Sequence, residues 1–250
     1  MTRKQLRAGG QELRQKLGLE RRAAPEALPG LDDLMAEVAY GSIWDRPGLS
    51  HADRMICTIA VLGPLERHAE LERHVASALD LGLKPEAILE VLLQAGLYGG
   101  FITAESGSQV AAKVFAARGL KVNPGPPRDA SSEDLDKRGA ELMGELHGAR
   151  GTQGYAAPGN PITGQLYPAA IRYGYGELWF RPGLERRQRL LIAVAAFTGL
   201  GLESQLTKFS QSALNAGLTR EEIVEAVIQT GPYSGFPRAL NGLAILSQVL

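Results

Sequence analysis

The sequence predicts an all-α protein built from two tandem copies of one multi-helix unit. An offset of 135 residues places Trp44 on Trp179, and 26 of 68 ungapped positions are identical between residues 40–107 and 175–242. A repeat at a fixed offset indicates a duplicated structural unit. Apolar residues recur at helical spacing between glycine and proline breaks, and no useful stretch shows the strict alternation of a strand. Together these patterns favour helices throughout.

The domain division follows from the repeat. We expect a first unit at residues 1–118 and a second at 133–250, joined by a linker at 119–132 that is rich in proline, glycine and serine. The chain has 250 residues, which suits two ordinary domains.

Composition excludes several classes of function. Lys plus Arg and Asp plus Glu both number 27, so no net charge favours nucleic acid or a membrane surface. Cys57 is the single cysteine, which rules out an intrachain disulfide and fits a reducing compartment. No apolar run reaches the length of a membrane span. We therefore expect a cytoplasmic protein without membrane or nucleic-acid partners.

The first unit opens with two short amphipathic helices. Residues 3–17 carry a leucine stripe and end at Gly18, a typical position for a terminating glycine. A loop is predicted at 21–30, a second helix at 31–40 and a turn at 44–49, where proline and glycine occur together.

A buried helix follows. Ser50 is a predicted N-cap, residues 51–62 are apolar on almost every side, and Gly63-Pro64 breaks the helix. Further helices are predicted at 66–81, from Lys84-Pro85-Glu86 to the glycines near position 99, and onward to Ala117.

The second unit repeats this plan. A polar helix is predicted at 132–147, a glycine-rich loop at 148–164, a helix at 165–173, and then the repeated core, whose third helix begins with a capping box of Thr219 and Glu222.

Five motifs in fixed order, four of them present in both copies, resemble the γ-carboxymuconolactone decarboxylase family of the alkylhydroperoxidase D-like superfamily. They are the segment YGSIWDRPGL at 40–49 with its repeat YGELWFRPGL at 175–184, the following arginine with its apolar helix, the Glu-Leu-x-x-His at 70–74, the Ala-Leu-x-x-Gly at 78–82 and the closing Tyr-x-Gly-Phe. The resemblance covers nearly the whole chain.

The resemblance implies an activity and an assembly. It implies a cofactor-free decarboxylase acting on a small carboxylated lactone or a related keto or enol acid, as in the catabolism of aromatic hydrocarbons. A divergent isomerase or hydrolase, or a non-catalytic binding protein on the same scaffold, is the alternative. Single-unit relatives form hexamers, which implies a homotrimer here. The Cys-x-x-Cys of the peroxidase branch would fall on Arg67 and Glu70, so no peroxidase chemistry is expected.

His74 and Glu70 are the candidate acid–base pair. Glu70 lies one helical turn before His74, so its carboxylate can orient the imidazole and raise its basicity. The alternative is a structural histidine satisfied by a neighbour. His51, His68 and His147 stand near helix ends and are expected at the surface.

Arg54 and Arg189 each begin an otherwise apolar helix. A guanidinium can hold a substrate carboxylate through two hydrogen bonds. The alternatives are an interdomain ion pair and a surface arginine that reaches solvent.

Trp44, Gln94 and Tyr98 complete the candidate substrate-binding residues. The two aromatic residues can equally be packing anchors, and the glutamine can bond either a substrate or a neighbouring helix. Cys57 is expected to pack in the core. No cluster of residues has metal-ligand spacing.

The second copy has lost the acid–base pair, because Gln205 replaces Glu70 and Phe209 replaces His74. We therefore expect one active site per chain, in the first unit.

Overall fold

The computed structural model describes residues 2–20, 28–123, 125–126, 128–157 and 159–250. All regular structure in these ranges is helical, as the sequence predicts. The first unit contains α1 (Arg3–Lys16), α2 (Leu31–Met35), a π-helical segment (Ala36–Trp44), α3 (His51–Leu62), α4 (His68–Asp80), α5 (Pro85–Gly99) and α6 (Phe101–Ala117). The second unit contains α7 (Ser132–His147), α8 (Tyr167–Ala169), a π-helical segment (Ala170–Glu177), α9 (Arg186–Leu200), α10 (Glu203–Asn215), α11 (Arg220–Ser234) and α12 (Phe236–Val249).

Short 3₁₀ turns complete the second unit. They are Gly148–Thr152, Gly154–Ala156, Thr163–Gln165 and Leu178–Phe180.

The predicted helix boundaries agree with the structure where capping residues mark them. The Ser50 hydroxyl accepts a hydrogen bond from the Asp53 backbone N–H at 3.1 Å and starts α3. Thr219 and Glu222 form the predicted capping box of α11, with the Thr219 hydroxyl 3.1 Å from the Glu222 backbone nitrogen. Gly18 ends α1 with a left-handed φ of 64°. These local signals need no tertiary contact to act.

Two predicted elements differ from the structure. The helix expected at 31–40 continues as a π-helix to Trp44, and the helix expected at 165–173 is divided into a 3₁₀ turn, α8 and a π-helix. Each π-helix packs closely against the first helix of its unit, and a glycine stands where the two backbones meet, as Gly41 does against the carbonyl of Leu6. Close backbone contact, rather than propensity, thus sets the local geometry. The predicted loop at 21–30 lies mostly outside the described residues.

The centre of the molecule is formed by α3 and α9, which are equivalent helices of the two units. Every residue from Asp53 to Leu62 is buried, as is every residue from Arg189 to Gly199. Helices that are apolar all round are stable only when other elements cover every side.

The two units cover these central helices reciprocally. In addition to the contacts within each unit, α5 of the first unit packs against α9 of the second, and α11 of the second packs against α3 of the first. The units therefore share one hydrophobic core, and residues of α5 and α11 reach the opposite unit.

Within the described part of the chain, none of the helices has the length and apolarity needed to cross a bilayer.

Candidate active site

His74 lies at the centre of a hydrogen-bonded chain of side chains that connects the two units. Its Nδ1 is 2.7 Å from the backbone carbonyl oxygen of Glu70, and its Nε2 is 3.3 Å from the hydroxyl of Tyr233. The Trp44 indole N–H donates to the same hydroxyl at 2.7 Å. A carbonyl only accepts, so Nδ1 carries the proton and Nε2 is free to accept from the Tyr233 hydroxyl.

Burial keeps both His74 and Tyr233 uncharged. The His74 side chain is buried, which lowers its pKa to about 4 even though the Glu70 carbonyl and carboxylate act in the opposite direction. Burial also raises the pKa of Tyr233 well above its ordinary value. At neutral pH the site therefore contains a neutral imidazole that accepts a hydrogen bond from a neutral phenol.

Tyr233 is the site residue that the sequence did not reveal as such. It lies on α11 of the second unit, and its ring meets the His74 ring edge to face at a centroid distance of 5.4 Å. In the repeat Tyr233 is equivalent to Tyr98, but the repeat does not show whether each tyrosine contacts its own unit or the other one. The reciprocal packing of α5 and α11 decides this.

The Glu70 carboxylate does not orient the imidazole in the way the spacing predicted. It pairs instead with Arg73 at 2.9 Å, three residues further along the same helix face, and is 41% exposed. The backbone carbonyl of Glu70 orients His74 in its place. Glu70 thus contacts His74 through its backbone carbonyl, while its carboxylate faces Arg73 and solvent.

Protein groups engage both terminal nitrogens of the Arg54 guanidinium, while its Nε is buried without a hydrogen-bond partner. Its guanidinium donates to the Glu225 carboxylate at 2.8 Å, to the Gln229 side chain at 3.1 Å, and to the carbonyls of Arg46 and Pro47 at 2.8 and 2.9 Å. The side chain is fully buried. This is the interdomain ion pair that the sequence left as an alternative to a carboxylate clamp.

Arg189 has the equivalent arrangement in the other direction. It donates to the Glu90 carboxylate at 3.2 Å, to the Gln94 side chain at 2.9 Å and to the Arg181 carbonyl at 2.7 Å. Gln94 in turn donates to the backbone carbonyl of Arg189 at 2.8 Å and to the Tyr98 hydroxyl at 3.2 Å. These contacts join α5 to α9.

The structure therefore divides the candidate residues into two groups. Trp44, Glu70 and His74 come together in the first unit, whereas Tyr98 lies against Phe197 in the second unit at a centroid distance of 4.4 Å.

His147 is not at the surface, contrary to the prediction from its place at a helix end. It is buried where α7 packs on α10, with Nδ1 2.7 Å from the Ser212 hydroxyl and Nε2 2.9 Å from the Tyr175 hydroxyl. Burial, together with the charges of Lys208 and Arg150, lowers its pKa to about 3. Position at a helix end does not predict exposure when another helix covers that end.

Phe209 occupies the His74 position of the second unit and is buried. Its ring packs against His147 at 4.8 Å and against Phe197 at 5.0 Å, measured between centroids. The described part of this second site has no counterpart of the His74 imidazole at that position.

Cys57 is fully buried on α3, and burial raises the pKa of its thiol to about 12. A protonated, enclosed thiol is unreactive.

Among the described residues, no group of three or more His, Cys, Asp or Glu side chains is placed to hold a metal ion.

Comparison with known proteins agrees with the repeat and with the fold. The family model for the carboxymuconolactone decarboxylase family matches residues 29–113 and 164–248, and the two matches are separated by the same offset of 135 residues as the repeat. The chain is 28% identical to 4-carboxymuconolactone decarboxylase of Acinetobacter baylyi over 109 residues, which is 44% of this chain and 78% of that protein. It is 25% identical to nitrosuccinic acid decarboxylase of Metarhizium robertsii over 126 residues, which is 49% of this chain and 88% of that protein. The chain contains two tandem copies of the unit that this family model describes, and it therefore belongs to the carboxymuconolactone decarboxylase family.

Proposed function

We propose that this protein is a carboxy-lyase that removes CO₂ from a small carboxylated lactone or a related keto or enol acid at the His74 site. The observation that supports this most is the uncharged chain from Trp44 through Tyr233 to His74. Two similar proteins are named as decarboxylases, and the substrates in their names are small acids.

The chemistry of decarboxylation explains why such a chain is suitable. When the bond to the carboxyl carbon breaks, its electron pair stays on the substrate and moves into a neighbouring carbonyl or other electron-withdrawing group. The resulting anion requires a nearby hydrogen-bond donor and then a proton on carbon. The Tyr233 hydroxyl has one proton, so in this proposal it turns from His74 Nε2 to the substrate anion on binding, while the Trp44 N–H still holds the hydroxyl oxygen in place.

The environment of the site favours loss of charge from the substrate. Beside the buried side chains of Trp44 and His74 a substrate carboxylate would lose its hydration, and its charge is removed from the substrate as neutral CO₂ forms. In this proposal the Tyr233 hydroxyl delivers the proton to the substrate carbon and regains one that comes ultimately from solvent, which the partly exposed Glu70 carboxylate reaches. In this proposal His74 and Glu70 keep their acid–base roles, and Tyr233 joins them.

Arg54 and Arg189 have a positioning role in this proposal rather than direct contact with substrate. Arg54 bonds Gln229 and Glu225, which lie on α11 about one and two turns before Tyr233. The ion pair therefore fixes the helix that carries the Tyr233 hydroxyl into the first unit.

The test is a direct assay for CO₂. Purified protein is incubated separately with 4-carboxymuconolactone and with nitrosuccinate, the acids in the names of the two relatives, and CO₂ release is followed together with loss of substrate. We expect His74→Gln and Tyr233→Phe each to lower kcat by about 10²–10⁴, the range for loss of a general acid–base group. Circular dichroism and light scattering of the variants should match those of the wild type.

Glu72→Gln is the matched control, since Glu72 is an exposed carboxylate on the same helix as His74. It should retain the wild-type kcat. Consumption of substrate without CO₂ would instead indicate the isomerase or hydrolase alternative, and binding without turnover would indicate a non-catalytic protein. Wild-type kcat in His74→Gln would exclude His74 from proton transfer.

A further inference from the structure

The second unit contains an apolar cavity at the position equivalent to the His74 site. Its volume is about 280 Å³, and it opens to the surface. Its walls are mostly aromatic and come from both units. The lining residues are Leu97, Tyr98, Tyr167, Ala170, Tyr175, Trp179, Phe197, Leu202, Gln205 and Phe209.

The lining of this cavity carries no formal charge. None of the described residues that line it is Asp, Glu, Lys, Arg or His. In the first unit the equivalent positions include Arg67, Glu70 and His74, and in the second unit these are leucine, glutamine and phenylalanine. All three positions are charged or titratable in the first unit and neutral in the second.

Two tyrosine hydroxyls in the wall already have protein partners. The Tyr98 hydroxyl accepts from the Gln94 side chain at 3.2 Å, and the Tyr175 hydroxyl lies 2.9 Å from His147 Nε2. The cavity therefore offers ring faces and edges to an occupant, with few polar groups that need a hydrogen bond from it. Ring stacking with offset or edge-on geometry is the favoured contact on such walls.

We propose that this cavity is a binding site for an uncharged compound of one or two planar rings, separate from the His74 site. A buried apolar cavity of about 150 Å³ is large enough to bind benzene, and pockets for drug-sized ligands begin near 300 Å³. At about 280 Å³ the cavity lies between these sizes. A carboxylate on the same ring is disfavoured, because no positive charge in the described lining would compensate for its lost hydration.

Trp179 allows this site to be observed directly. The chain has two tryptophans, so Trp44→Phe leaves Trp179 in the cavity wall as the single indole fluorophore. Methyl benzoate and benzoate are the matched probes, since they share a ring and differ in charge. We expect methyl benzoate to change the Trp179 emission saturably, and benzoate to bind at least about tenfold more weakly.

Ala170 provides the matched pair of variants. It lines the cavity and is exposed at the surface, so a larger side chain can be placed there without disturbing the core. In the Trp44→Phe background, Ala170→Phe should abolish the saturable response and Ala170→Ser should preserve it, with unchanged thermal melting in both.

The proposal fails if methyl benzoate gives no saturable change, if benzoate binds as tightly, or if the response persists in a folded Ala170→Phe variant. Because the readout is fluorescence rather than CO₂ release, its result does not depend on the function proposed for the His74 site.

Discussion

The buried ion pair between the two units provides the sharpest stability prediction, and the substitution is Glu225→Gln. The Glu225 carboxylate accepts from Arg46 at 2.6 and 2.9 Å and from Arg54 at 2.8 Å. The Glu225 and Arg54 side chains are 4% and 0% exposed. Glutamine keeps the shape but removes the negative charge, and its amide nitrogen brings donors towards guanidinium donors.

The expected cost follows from the charge that is left behind. Removing one partner of a buried ion pair destabilises a protein by about 3–5 kcal/mol, because the other charge stays buried without compensation. Arg54 keeps its bonds to Gln229 and to two backbone carbonyls, so we expect a value near the lower end, about 3 kcal/mol. In a chain of this length this corresponds to a fall in Tm of about 6–12 °C.

The measurement is urea unfolding followed by circular dichroism at pH 7, with Glu221→Gln as the control. Glu221 is an exposed carboxylate on the same helix, and its substitution should change the free energy of unfolding by less than about 0.5 kcal/mol. If Glu225→Gln costs less than about 1 kcal/mol, or no more than Glu221→Gln, the ion pair does not stabilise the contact between the units.

The same ion pair predicts a pH dependence. Burial alone would raise the pKa of Glu225, but the hydrogen bonds and charges of Arg46 and Arg54 outweigh this and leave the pKa below its ordinary value of 4.5. A depressed carboxyl pKa stabilises the folded state above the unfolded pKa, and this contribution is lost as the pH falls through the folded pKa. Wild-type stability should therefore fall below about pH 4.5 more steeply than that of Glu225→Gln.

Three further predictions concern other residues. Burial lowers the pKa of His147 to about 3 in the folded protein, so the free energy of unfolding should fall by about 2 kcal/mol from pH 7 to pH 5 as the unfolded chain takes up the proton. Urea titrations should show this fall for wild type and not for His147→Gln, and equal pH dependence would contradict it. Cys57 is buried, and burial raises the pKa of its thiol. Wild type and Cys57→Ser should therefore consume peroxide at the same background rate with a dithiol reductant, and faster consumption by wild type would contradict this. Light scattering should give about three times the chain mass of 26.8 kDa, and a wild-type mass near that of one chain would refute the trimer. Phe101 and its equivalent Phe236 are about half exposed and are expected to pack between chains, so Phe101→Asp should lower the mass.

The sequence alone determined the duplication, the all-α class and most helix boundaries. These properties depend on signals that are local or periodic. Ser50 and Thr219 cap their helices through their own hydroxyls, and an apolar pattern on every side requires burial of α3 wherever it packs. The motif positions of Trp44 and His74 likewise placed two members of the candidate site in the first unit.

Only the tertiary structure decided which residues meet. Periodicity shows that one face of a helix is buried, but it does not show what lies opposite that face. Tyr233 reaches His74, 159 positions earlier, because α11 packs on α3 of the other unit. The same reciprocal packing turned Arg54 towards Glu225, and the packing of α7 on α10 buried His147. Long-range contacts of this kind depend on how two units fit together, and neither unit's own sequence pattern contains that information.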